Sequence, residues 1–294
     1  MKRIIILVCT SLFATASFQS VQAQSFLLKS NDDLGKSLTL FCDNDYPEWY
    51  PFHILDEELI RVKYDCYLAL EDSSKVIQAE YRLQIGKGYT KFVSMIRHRS
   101  DSLRSLGGHL GGKIYNEKAN PLFVEDCYYV DKKKGVLTFT GRLAADDFLY
   151  EETLPSIKWR LIDAQKTICG YICRQAEGVF RGRTYLVWYT EQLPYSSGPW
   201  KFQGLPGVIM EVEDSEQLHH VQAVQVYQGN GDIIMTDYPY IKVSRKQYLL
   251  LLDQMISDPW MFLSNHTSRS AAIVRLGSAH TPSPFKRPIF LEKE

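Results

Sequence analysis

The sequence has no surplus of either charge. Lysine plus arginine and aspartate plus glutamate each number 34 in 294 residues, for a formal net charge of zero. Proteins that grip nucleic acid or an anionic membrane surface carry a basic excess, so neither partner is expected. Familiar signatures of chemistry are missing as well: there is no G-x-S-x-G elbow, H-E-x-x-H, Walker loop or G-x-G-x-x-G. The Gly107–Gly112 stretch holds four glycines but no Lys-Ser/Thr after them, and reads as a flexible linker. His219 and His220 are adjacent, and on a strand they would point to opposite faces, unable to share one ion. Glu211 and Glu213 would share a strand face, which a solvated surface explains. No catalytic residue, metal ligand or cofactor is assigned, and an enzyme is not expected. Beyond the first residues no apolar run reaches the roughly 20 needed to span a bilayer, so the mature chain should have no transmembrane span.

The first residues do carry a message. Lys2 and Arg3 precede a mostly apolar run, Ile4 to Ala16, and Val21-Gln22-Ala23 forms a small-residue cleavage site. This is the pattern of a secretory signal peptide. Cys9 lies inside the apolar run, so lipidation is not expected. The expected organisation is a cleavable signal over residues 1–23 and a single β-rich domain over 24–294, exported and periplasmic.

Five cysteines then remain, Cys42, Cys66, Cys127, Cys169 and Cys173, enough for two bridges at most in an oxidising compartment. On one continuous strand Cys169 and Cys173 would lie roughly 13 Å apart, beyond the ~4.4–6.8 Å that a disulfide spans. They would pair elsewhere, with Cys66 or Cys127, or the strand must break at Gly170. The disulfide candidates are thus Cys66, Cys127, Cys169 and Cys173. The Gly-Tyr-Ile between the last two argues against a helical metal half-site.

Period-two alternation dominates the chain. Glu58 to Leu70 alternates apolar with polar residues, and Tyr81–Ile85 repeats the pattern up to a turn at Gly86-Lys87-Gly88. Lys91 to Leu106 switches to helical spacing. Two strands are expected in Phe123–Thr140 around Lys132–Gly135, and another at Leu149–Glu152. Further strands follow at Trp159–Asp163, Cys169–Ala176, Thr184–Tyr189, Val208–Val212 and His220–Tyr227, with Ile233–Met235 after the turn at Gly229–Asp232. Ser244 and Gln247 form a capping box before a helix with Tyr248, Leu251, Leu252, Met255 and Ile256 on one face, stopped by Asp258-Pro259. Residues 24–57 read as an irregular lead-in, and the tail with Pro282, Pro284 and Pro288 as extended. A meander of short strands with frequent turns predicts a mainly β fold with a few helices, as an antiparallel sheet, sandwich or open barrel.

The stretch Trp159–Asp214 is densest in Trp, Gly and aromatic–Arg pairs. Arg181 and Arg183, two residues apart, would share one face of an extended segment, with Tyr185, Trp188 and Trp200 as rings on which they could stack. Gly198-Pro199-Trp200 and Gly204-Leu205-Pro206-Gly207 each supply a constrained turn. Two readings follow. One is a packing corner. The other is a ligand or partner surface made by Arg181, Arg183, Trp188, Trp200, Lys201, Gly204, Leu205, Pro206 and Gly207.

These residues also carry a likeness. The run G-P-W-K-F-Q-G-L-P-G-V-I from Gly198 to Ile209, preceded by G-Y-I-C, F-R-G-R-T-Y and W-Y-T, resembles the GLPGLI family of exported Bacteroidetes proteins. The likeness extends outward to Tyr81–Phe92, Tyr150-Glu151-Glu152 and Trp159. Val208 stands where that family usually has Leu, and Cys169 is atypical. The resemblance implies export from a Gram-negative cell and carries over no catalytic residues. It points by analogy to a curved antiparallel half-barrel like that of periplasmic lipoprotein carriers. The expected function is a non-enzymatic carrier or chaperone binding an apolar ligand or an exported polypeptide. The alternatives are an envelope protein that assists an outer-membrane transporter and, less well motivated, a cryptic hydrolase or thiol enzyme.

Overall fold

The computed structural model describes residues 25–28, 38–42, 50–69, 76–104, 125–143, 146–258, 261–262 and 271–275. The expected signal peptide, the Gly107–Gly112 linker and the proline-bearing tail lie outside them. In chain order the elements begin with β1 (Ser25–Leu28), β2 (Leu38–Cys42), β3 (Phe52–Glu57), β4 (Ile60–Ala69), β5 (Val76–Ile85) and β6 (Tyr89–Ser94). Helix α1 (Met95–Arg104) precedes β7 (Asp126–Asp131), β8 (Val136–Leu143) and β9 (Asp146–Thr153). The central stretch supplies β10 (Trp159–Ile168), β11 (Tyr171–Phe180), β12 (Arg183–Thr190) and β13 (Val208–Asp214). Last come β14 (His219–Gln228), β15 (Asp232–Thr236), β16 (Ile241–Lys242), α2 (Arg245–Ser257) and β17 (Ala271–Arg275).

Twelve strands form one sheet in the order β10-β11-β12-β13-β14-β4-β5-β6-β7-β8-β9-β16. All its pairings are antiparallel except the two-residue strap β16, which runs parallel to β9. The sheet is curved and does not close, so the expected mainly β, open half-barrel architecture is what the chain adopts. Among the described residues no helix is long and apolar enough to cross a membrane.

Alternation explains the sheet's faces. In β4 the residues Ile60, Val62, Tyr64 and Cys66 are buried and those between them half-exposed, so one face builds the main core. That core gathers Leu83, Phe92, Phe139, Tyr150, Val187, Ile209 and Met210 with residues from the central stretch. Two-stranded β3–β15 covers the opposite face at β6 and β7, where Leu55 and Met235 pack on Val93, Cys127 and Tyr129.

This double cover accounts for one departure from the sequence reading. Lys91–Ser94 continues strand β6, and the helix starts only at Met95. With both faces buried, Phe92 and Val93 lose the strand's polar–apolar alternation, and helical spacing imitates the remainder. The lead-in is likewise partly strand, because β3 pairs with β15 and β2 with β17, both distant in the chain.

Helix α2 carries its capping box, with Gln247 N–H donating to Ser244 Oγ at 3.2 Å and Ser244 N–H to Gln247 Oε1 at 2.7 Å. Tyr248, Leu252, Met255 and Ile256 are buried on the core. Gly141 makes the room: a Cβ there would lie 2.5 Å from the Tyr248 hydroxyl.

The disulfide expectation needs correction. Cys66, Cys127, Cys169 and Cys173 are all free thiols. Cys66 belongs to the main core and Cys127 to the cluster on the other face, with β5 and β6 between their strands. The strand does break at Gly170. Cys169 (φ 50) and Gly170 (φ 83) make the two-residue turn of the β10–β11 hairpin, a geometry that suits the sheet's twist. The Cys169 thiol is thereby turned to the Ala223 carbonyl oxygen at 3.3 Å, while Cys173 is buried.

One carboxyl at the margin of the core gives a pH prediction. Burial pushes Asp126 up to about 6, against the Tyr81 hydroxyl that donates to it at 2.7 Å. The folded state thus holds this proton more tightly than the unfolded chain. The stability it contributes is full below about pH 3.8 and is lost as pH rises through about 6. Asp126→Asn should therefore raise the melting temperature at pH 7.5 and leave it nearly unchanged at pH 4. Because Asp126 is only half-buried, we expect a gain of about 1–2 kcal/mol. Melts across pH 4–8 check this, and a variant less stable than wild type at pH 7.5 would overturn the assignment.

Candidate functional site

Residues 191–207 leave the end of β12, fold back over the core face and re-enter the sheet as β13. Two glycines permit this by close approach. A Cβ on Gly198 would sit 2.8 Å from the Phe202 carbonyl oxygen and 2.9 Å from Ile209 Cβ, and one on Gly207 would sit 2.0 Å from the Thr190 carbonyl oxygen. The corner is tied down by Ile209 N–H to the Ser197 carbonyl (2.9 Å), Val208 N–H to Leu193 (3.1 Å) and the Trp159 indole N–H to Gln203 (2.8 Å). Trp200 takes a positive φ of 54°, which turns its ring inward. Trp200, Phe202 and Leu205 are buried, and Phe202 meets the rings of Tyr185, Phe180 and Trp200 edge-on. Gly204 and Pro206 stay at the surface. The segment therefore packs its middle into the main core on one face of the sheet, as the corner reading expects.

The two arginines do not share a face. Arg181 (φ 45) and Gly182 (φ 79) are the two central residues of the β11–β12 turn, so the extended geometry expected across them is interrupted. Arg181 reaches Glu152 Oε2 at 2.6 Å, and its guanidinium lies over Phe180 at 5.1 Å. Arg183 goes the other way and is buried, with Nη1 on Asp214 Oδ2 at 3.1 Å and Glu216 Oε2 at 2.7 Å. Trp188 takes Lys166, not an arginine, over its ring at 4.4 Å.

What the fold does bring together is Arg181, Lys201 and Glu152. Lys201 Nζ lies 2.6 Å from Glu152 Oε1 and 3.5 Å from the Tyr150 hydroxyl, and is 2% exposed. Burial pulls its ammonium down to about 7, with the nearby Arg181 and Arg245 charges adding to the fall. Burial would raise Glu152, but the charges and hydrogen bonds of Lys201 and Arg181 outweigh it and hold the carboxyl below its usual range. The two directions are compatible because Arg181 keeps Glu152 ionised even when Lys201 sheds its proton. Glu152, Tyr150 and Arg245 escaped the site reading. The only local signal for Tyr150 and Glu152 was Tyr150-Glu151-Glu152 in the family likeness, and Arg245 had none, since strand β9, the corner and α2 are far apart in sequence.

Residues 177–211 match the sequence profile of a family described as protein of unknown function, Porph_ging. The matched stretch contains the corner and both arginines, and the whole run that carries the GLPGLI likeness. No curated protein matches the chain. Among solved structures, PNGF-II in its C2 crystal form is similar over 68% of this chain and 33% of its own, at 13% identity and a TM-score of 0.47. Its P21 form gives 68% and 34%, at 12% identity and a TM-score of 0.49. The chain thus spans about a third of the length of those structures.

Proposed function

We propose that this chain is an exported, non-enzymatic protein of the cell envelope that binds an extended polypeptide through its β10–β11 hairpin. The observation that carries the reading is the state of the sheet's two ends. At one end β16 covers β9; at the other, β10 has no further strand beside it among the described residues. The β10–β11 hairpin also carries Leu161, Ile172 and Val179 at 62%, 56% and 68% exposure. Leu161 pairs with Ala176 and Thr167 with Ile172 across this hairpin. An edge strand with no neighbour among the described residues, bulged between Ile162 and Gln165 and beside exposed apolar side chains, is a template for strand addition. The core face supports a partner-binding role over a carrier of apolar ligands, because the corner packs into it and the cavity left beside it is ≈10 Å3, far below the ~300 Å3 of ordinary ligand pockets.

A photocrosslinking residue at position 161 or 172, expressed in the native host, should give one discrete adduct with an envelope protein. The same residue at exposed Leu250 on α2 should give none. Leu161→Asp with Ile172→Asp should remove an adduct trapped from position 179 while leaving the melting temperature within about 1 °C. Equal labelling from positions 161, 172 and 250, or none from the hairpin, would sink the reading.

A further inference from the structure

The cavity between the corner and the sheet wall has its own chemistry. Its walls include Leu83, Thr90, Phe92 and Tyr128 from the sheet and, from the corner, residues 196–198 and 200–203. At ≈10 Å3 it has room for one water-sized sphere. A cavity of that size lined by hydrocarbon alone stays dry, but this one is lined by Thr90, Ser197, Lys201 and Gln203. Ser197 is 4% exposed, and its hydroxyl is buried without a hydrogen bond to any described residue. Its backbone is fixed, since its carbonyl accepts from Ile209 N–H at 2.9 Å and it bridges to Val208. The hydroxyl is therefore held in the cavity wall by the same contacts that hold the corner.

We infer that this cavity is a binding site for a single structural water, anchored by Ser197 Oγ and joining the corner to strand β6. Two lysines also line the site, and their ammonium groups are engaged by a carbonyl and a carboxylate. Lys132 donates to the Gly86 carbonyl at 2.9 Å, and Lys201 meets Glu152 at 2.6 Å. The space, ≈10 Å3, matches a single water. A hydroxyl can both donate to and accept from it, while Thr90 and Gln203 supply the further partners that a buried water needs.

A room-temperature crystal structure of the wild type at about 1.5 Å should show one density peak in this cavity, within hydrogen-bond distance of Ser197 Oγ. Ser197→Ala should lose that peak, and water-oxygen relaxation dispersion in solution should count one fewer long-lived water than in wild type. A dry wild-type cavity would overturn the site. A full-occupancy water that persists in Ser197→Ala, with an unchanged count, would overturn Ser197 as its anchor.

Discussion

Gly207→Ala should cost on the order of 4 kcal/mol or more, a large share of the stability of a typical domain. The reason is steric and not conformational. The new Cβ would lie 2.0 Å from the Thr190 carbonyl oxygen, 2.6 Å from its carbon and 3.1 Å from Glu191 Cα. All three are backbone atoms, so no side chain can swing away. Thr190 also pairs with Val208 in the β12–β13 ladder, and relief would require prising those strands apart at the foot of the corner. Gly135→Ala is the matched control. That glycine has φ +65° and nothing within 4 Å of a built Cβ, so alanine there meets only the left-handed penalty of about 1–2 kcal/mol. Urea unfolding of both variants decides the matter: if the two losses are equal, the corner is not packed as described.

That contrast shows how far the sequence could be read. The strands β4 and β5 and the cap of α2 were visible because their causes are local: alternation about one buried face, and Ser244 three residues before Gln247. The corner was visible as punctuation, since Gly-Pro and Pro-Gly announce turns. What Gly207 avoids was not, because Thr190 is brought there only by pairing. The same limit applies to Arg181. One glycine between two strands was the available sign of a two-residue turn, yet Phe-Arg-Gly-Arg has no Asn-Gly or Asp-Gly to advertise it, and the two arginines read as neighbours on one strand. Lys201 could be singled out for its company of aromatics, but its carboxylate partner on β9 could not be seen. Strand β6 failed for a different reason: burial on both faces erased the period on which the reading relied.

Arg97→Met should destabilise the protein by about 3–5 kcal/mol, the usual cost of removing one member of a buried ionic network. Arg97 is 1% exposed and joins three elements. Its Nη1 meets Asp147 Oδ1 on β9 at 2.9 Å, and its Nε meets Asp101 Oδ1 on α1, also at 2.9 Å. Its guanidinium lies 4.8 Å from the ring centre of Tyr238, whose hydroxyl donates to Asp101 at 2.7 Å. Arg142 holds the other side of Asp147 with two contacts, at 2.9 and 3.0 Å, and reaches Glu125 at 2.6 Å. Without Arg97, Asp147 keeps a cation, whereas among the described residues Asp101 keeps the Tyr238 phenol alone. The double variant Arg97→Met/Asp101→Asn should therefore be more stable than the sum of its parts, by about 1 kcal/mol or more. Pairing Arg97→Met with Asp147→Asn should show less rescue, because that substitution takes a partner from Arg142. Tyr238 also leads into the strap that covers β9, so backbone amide exchange over Tyr238–Val243 should accelerate in Arg97→Met more than over β4 and β5. Strict additivity in both cycles, or uniform acceleration across the sheet, would mean that Arg97 fills space without holding the strap.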